Sequence, residues 1–454
     1  MKYLRVVLSG LSIFALPACA SAHAFGQQFN LPLPVDFYVT GGVCAFIASC
    51  VVLLLFSEPS AQSTAHRALP GGVRFPSILK WILAGTGFFL LVTSLTLAYF
   101  GTQDFATNPL PNLFWIIFLL LFTYLTGLLV GGLWQYLDPF RLIAGVIADD
   151  IPERPAPAWL PYLPSVLLIV LLWLELYSNA LGSIPLVIGT TLVFIASLDN
   201  IGSSIWGVNT WFQNGSLFSS LFGLVSKVAP IQILDGRVRL MWPGERLVRE
   251  EAPHLGVLFF TLVLLGSTVL DGLRETAIWY QILQPVPFNW DNFIGVALLI
   301  VIPFVLFAFY SFCLYCMKRL TDTQLSIPQL RLRFAHSLVP IAVAYHFAHY
   351  FSLILSQGQY FVAQVSDPFS KGWDIFGTAA YQMNLNLVGG DKVWYTQLSA
   401  IVLGHVLAAV VAHYIAQRTF GSKYQIIVSQ LPMLVFMVGL TTFGLWTLAQ
   451  PFVQ

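Results

Sequence analysis

Five of the eight histidines fall inside or at the ends of two apolar runs, HSLVPIAVAYHFAHYFSLIL at 336–355 and WYTQLSAIVLGHVLAAVVAHYIAQ at 394–417. An ionisable side chain in a hydrocarbon layer is costly, so each is a functional candidate. At a helical rise of about 1.5 Å per residue, His346 and His349 lie roughly 15 and 20 Å along the first run from His336. His405 lies roughly 16 Å along the second from Trp394. If the runs are adjacent and antiparallel, the three share a depth, and His346 and His349, three apart, share a helix face. Three neutral imidazoles and a water would hold a divalent transition metal: zinc, copper or another. A metal-bound hydroxide would then be a nucleophile. The same rings could instead be packing groups that pair with Tyr345 and Tyr350. His336 and His413 fall together at the opposite end of the two runs.

Carboxylates at the outer ends of other runs could complete such a site. LDGLRE places Asp271, Arg274 and Glu275 within one turn of a helix. That pattern fits a salt-bridged terminus, or a carboxylate that orients a ligand or a water and acts as a general base. Glu175 ends another run and is a second catalytic candidate beside Asp271; Asp367 and Asp374 lie in a polar loop. His23 follows Ala20-Ser21-Ala22, a small-residue cleavage signal. Cleavage there leaves an N-terminal histidine, whose α-amine and imidazole form a chelate for metal. The cysteine pair in CLYC at 313–316 offers two sulfurs, weak as a metal motif. Small buried hydrophobes are the plainer reading of the cysteines.

The elements that must position these groups are long apolar helices. Of 454 residues, 57% are hydrophobic and 9% charged, against about 25% charged in soluble domains. Runs of about 20 apolar residues cross a bilayer as helices, and LLIVLLWLELY lacks the alternation of a β-barrel strand. The expected spans are 37–56, 81–100, 113–133, 159–177, 181–198, 255–270, 293–316, 336–356, 394–415 and 425–449. The expected fold is therefore an all-α polytopic bundle of about ten spans behind a cleaved signal peptide at 1–22. Residues 23–454 form one integral membrane domain, with a cytoplasmic loop at 199–254 and a periplasmic loop at 357–393. Lys and Arg set the orientation: sixteen of the 21 fall in loops placed in the cytoplasm and three in loops placed outside. Both mature termini are then periplasmic, in a bacterial inner membrane. SLFSSLFGLVSKVAPI, within 199–254, could lie along the membrane surface or re-enter it. The net charge of +1 gives no sign of nucleic-acid binding.

No HExxH, GxSxG, P-loop or dinucleotide fingerprint occurs. The sequence resembles a bacterial multi-span family labelled fenitrothion hydrolases. The resemblance rests on AHAFGQQFNLPLP at 22–34, GGLWQYLDPFR at 131–141, DGRVRL at 235–240, LLGSTVLDGLRETAIW at 264–279, the 336–359 histidine run, SDPFSKGWDIFGTA at 366–379 and the segments from 393 to 446. It departs at Asp138 and Phe140, where an Asn-Pro-Trp-Arg ending is expected. The resemblance implies an aryldialkylphosphatase-type enzyme that hydrolyses an organophosphorothioate triester at its aryl P–O bond. An uncharged, apolar small-molecule substrate of that kind would concentrate in the lipid bilayer. Two other classes remain open: non-enzymatic handling or transport of a metal or small molecule, and a structural subunit beside a partner membrane protein.

Overall fold

The computed structural model describes residues 35–55, 72–178, 180–283, 290–384 and 387–448. The expected signal peptide at 1–22 and His23 lie outside the described residues.

Runs of Leu, Val, Ile and Phe must satisfy their backbone polar groups internally, and here they do so as helices. The principal ones are α1 (Val35–Leu55), α2 (Ser77–Phe100), α3 (Asn112–Leu129), α4 (Leu163–Leu176), α5 (Pro185–Trp206), α6 (Leu217–Val225), α7 (Leu255–Arg274), α8 (Asp291–Thr321), α9 (Val339–Gln357), α10 (Gly390–Thr419) and α11 (Lys423–Leu448). Among the described residues eight helices are long and apolar enough to cross a membrane, and the protein is membrane-embedded. Two expected spans correspond to shorter apolar stretches, Thr40–Val51 and Leu160–Leu176. α3 is wound mostly as π-helix, at Asn112–Leu121 and Leu125–Leu129. α7 is the centre of the bundle and is buried along most of its length, whereas α8 exposes most of its surface.

One end of the bundle carries a small sheet that the apolar pattern did not announce. Its strands are β1 (Val73–Arg74), β2 (Val130–Gly131), β3 (Ile231–Leu234) and β4 (Arg237–Leu240), in the order β1-β4-β3-β2. β3 and β4 form a hairpin through Asp235 and Gly236, both at positive φ (50° and 70°). An Asp-Gly pair suits such a turn. β2 pairs parallel to β3, and β1 antiparallel to β4. This sheet end therefore ties the entry to α2, the exit of α3 and the approach to α7.

α6 is not spread on a membrane surface. Its Phe218 and Phe222 are buried against Phe118 and Trp134, with ring centroids 4.7–6.1 Å apart. α9 and α10 are in direct contact, as the sequence reading assumed. A Cβ on Gly404 would meet the Ala344 Cβ at 2.1 Å, so only glycine allows this approach. Gln397 Nε2 donates to the Ala348 carbonyl at 2.8 Å one step further along.

Candidate functional site

Adjacency of α9 and α10 does not gather the three histidines. Ala344 and Ala348, four apart, form the α9 stripe that faces α10. Each residue turns about 100° round a helix, so His346 and His349 point away from that stripe. His346 faces α3, with its Nδ1 2.8 Å from the Tyr124 hydroxyl. His349 faces α7, with its Nε2 2.8 Å from Asp271 Oδ2. His405, next to the close-packed Gly404, faces α1: its ring packs edge-on against Phe46 at 5.7 Å. Its Nδ1 bonds the Ile401 carbonyl at 2.8 Å. Among the described residues no group of three or more His, Cys, Asp or Glu is arranged to hold a metal ion. The shared three-histidine site expected from depth alone is therefore corrected: depth matched, but azimuth did not.

The arrangement that does form centres on Asp271, in the last turn of α7. Its carboxylate is 3% exposed and is bridged by two groups from α9: His349 at 2.8 Å and the Tyr350 hydroxyl, which donates at 3.2 Å. Burying a carboxylate without such partners would be prohibitive. The His346 and Tyr350 rings lie with centroids 4.7 Å apart and planes tilted by 53°, and Tyr350 also packs edge-on to His349. The polar chain thus runs from Tyr124 through His346 and Tyr350 to Asp271 and His349. Tyr345, next along α9, bonds Thr447 Oγ1 of α11 at 2.7 Å and fixes the helix from its other side.

Glu175 and Glu275 flank this chain within electrostatic reach of Asp271 and His349. Arg274 explains how Glu175 comes so near. Its guanidinium lies over the Tyr177 ring at 4.5 Å and donates to the Leu176 carbonyl at 3.4 Å, pinning the end of α4 to the end of α7. The cluster LDGLRE is thus both a docking terminus and a source of the central carboxylate. Asp367 and Asp374 serve their own loop instead. Asp367 accepts from the amides of Lys371 and Gly372 at 2.8 and 2.7 Å. Asp374 accepts from the Ala379 amide at 2.9 Å, which holds its carboxyl below the usual range.

Sequence reasoning missed Tyr124 as a chemical partner; it named Tyr350 as a packing contact of the histidines, which it is, but not as a donor to Asp271. It also missed a second cluster at the sheet end. Lys227 Nζ pairs with Glu250 Oε2 at 2.8 Å and approaches His336 Nε2 at 3.4 Å. The Arg246 Nε bonds the other oxygen of Glu250 at 2.9 Å. Burial pushes the Glu250 carboxyl up, but Lys227 and Arg246 outweigh it and leave the carboxyl below its ordinary value. This cluster borders a cavity of about 360 Å³ reached by Arg141, Lys227, Arg246 and Asp138. The other two terminal groups of the histidine runs divide likewise: His336 joins this cluster, while His413 Nδ1 bonds Gln430 Oε1 at 3.1 Å.

No family model, curated protein or solved structure matches this chain.

Proposed function

We propose that the protein is a membrane-bound hydrolase of neutral organophosphorothioate triesters, cleaving the aryl P–O bond, with His349 as general base oriented by Asp271. The observation that carries this reading is the 2.8 Å contact between His349 Nε2 and Asp271 Oδ2 inside the bundle. With Nε2–H donated to the carboxylate, the lone pair sits on Nδ1, which can take a proton from water. The hydroxide so formed bonds to phosphorus, the aryl P–O bond breaks, and nitrophenolate leaves without needing a proton. The imidazolium, stabilised by Asp271 with Glu175 and Glu275 nearby, then returns its proton to water. The sheet end faces the cytoplasm in this reading, consistent with its Lys and Arg content, and the His349–Asp271 pair lies toward the periplasmic half of an inner-membrane bundle. A divalent metal bound at the N-terminal His23 would be an accessory.

Purified protein in lipid nanodiscs should release nitrophenolate from a dialkyl nitrophenyl phosphorothioate, and His349→Gln should abolish it. Absence of release above the lipid blank would remove the hydrolase reading, and loss of turnover with a chelator would restore a role for metal.

A second reading, proton-coupled transport, is favoured by one observation. α9 and the turn before it carry both polar clusters, with His336 at one and His346 ten residues on, roughly 15 Å away. Proteoliposomes that take up protons with a solute but never hydrolyse the ester would support it.

A further inference from the structure

Four sulfur-bearing side chains from three helices line one small void. Cys50 of α1, Met317 of α8, and Met433 and Met437 of α11 line a cavity of about 20 Å³. All four side chains are buried, at 7, 0, 2 and 2% exposure. The chain has only six methionines and five cysteines, so half of its methionines converge here from positions far apart in sequence. Met433 and Met437 are four apart and present one face.

We propose that this void is a binding site for a soft monovalent metal cation of the copper(I) class. Methionine is flexible and normally fills gaps of this size, yet here space is left between four of the softest donors a protein possesses. A water molecule would need two to four polar partners. Gln430 is the one lining side chain with nitrogen or oxygen donors, and its amide is already engaged by the Ile426 carbonyl and by His413. No carboxylate lines the void, which disfavours hard divalent ions, whereas thioether and thiolate sulfur select copper(I).

His405 supplies the second, independent observation. It is 2% exposed, and its Nε2 has no hydrogen-bond partner among the described residues. Because Nδ1 donates to the Ile401 carbonyl, the lone pair is on Nε2, the tautomer seen in metal-ligating histidines. This ring does not itself line the void but lies one helical turn from residues that do. Phe46 touches His405, Cys50 follows Phe46 by one turn, and Ala409, which lines the void, follows His405 by one turn. The imidazole thus stands about one helical pitch, roughly 5 Å, from the sulfur layer along the same two helices. Charge also balances. On binding, the Cys50 thiol loses its proton to solvent, a sulfur–metal bond forms, and thiolate with monovalent cation is neutral overall, which suits an apolar surround. Oxidation state does not change.

The test is a copper(I) titration of the full-length protein in detergent, under reducing conditions, against a chromophoric copper(I) chelator. About one equivalent should be withheld from the chelator. M433L/M437L should weaken retention at least tenfold, Cys50→Ser should eliminate the proton released per ion, and Met241→Leu, elsewhere in the fold, should leave retention unchanged. Silver(I) should raise the melting temperature of wild type and not of M433L/M437L. The proposal is overturned if wild type withholds no copper(I), if Cys50→Ser and M433L/M437L withhold as much as wild type, or if equimolar zinc(II) displaces the ion.

Discussion

Replacing Asp271 by Asn is the sharpest probe of the intramembrane site. The amide keeps the volume of the carboxylate, and its oxygen can still accept from His349 and Tyr350, now 2.8 and 3.2 Å from Oδ2. What disappears is the charge. A hydrogen bond to a charged group contributes about 1.5–3 kcal/mol and a neutral one about 1 kcal/mol. Losing the difference at the His349 bond, roughly 0.5–2 kcal/mol, corresponds to about 2- to 30-fold in kcat/KM at 1.4 kcal/mol per factor of ten. A transition state that forms imidazolium needs the carboxylate more than the ground state does, and a tautomer change would deepen the loss toward about 10⁴-fold. Nitrophenolate release in nanodiscs measures the rate, and thermal unfolding in the same lipid controls for folding. A double-mutant cycle with His349→Gln should show the two changes to be strongly non-additive. If Asp271→Asn hydrolyses at the wild-type rate, or if the losses simply add, the pair is structural and the general-base argument fails.

Other perturbations test the frame. Gly404→Ala should destabilise the α9–α10 contact by about 1–3 kcal/mol, because the new methyl would sit 2.1 Å from Ala344; an unchanged melting temperature would show that the helices separate freely. Asp138 caps the short helix Pro139–Ile147, accepting from the amides of Phe140 and Arg141, and burial lifts its carboxyl to about 6. The folded state therefore binds this proton more tightly than the unfolded state, so Asp138 lowers stability as pH rises from about 4 to about 6. Asparagine caps as well as aspartate, so Asp138→Asn should be more stable above pH 6 by up to about 3 kcal/mol and no more stable below about pH 4, read from melts across pH. Reporter fusions after Gln103 and Pro243 should read periplasmic and cytoplasmic respectively; two identical readings would defeat the proposed orientation.

Spans were readable in the sequence because burial in lipid demands continuous apolar runs, and every expected run has a helix or an apolar part of one over it. Depth along a helix was equally readable, since rise per residue is fixed. Azimuth was not. Whether His405 faces α9 or α1 depends on the glycine one place earlier, and nothing in the spacing of histidines says which small residue makes the close approach. His349 and Asp271 were both singled out, but as parts of different devices; their pairing needed the rotation of α9 against α7. The Asp-Gly turn and the alternation in DGRVRL carried a hairpin signal that the apolar runs overshadowed. Metal sites were sought among histidines, carboxylates and the CLYC pair, and methionine thioethers were left out.

The small sheet also dictates an order of assembly. β1 precedes its partner β4 by more than 160 residues of chain, for Val73 pairs with Val238. During synthesis, α2, α3 and α5 must enter the bilayer while the strand edges at Val73 and Val130 have nothing to pair with, and the knot closes only after the hairpin at Asp235 has emerged. Such long-range closure is slow by nature, and an unpaired edge invites wrong partners. A chain halted before Gln232 would therefore leave a half-built bundle open at one end, and the insertion machinery or a chaperone must shelter it until the last stitch is available.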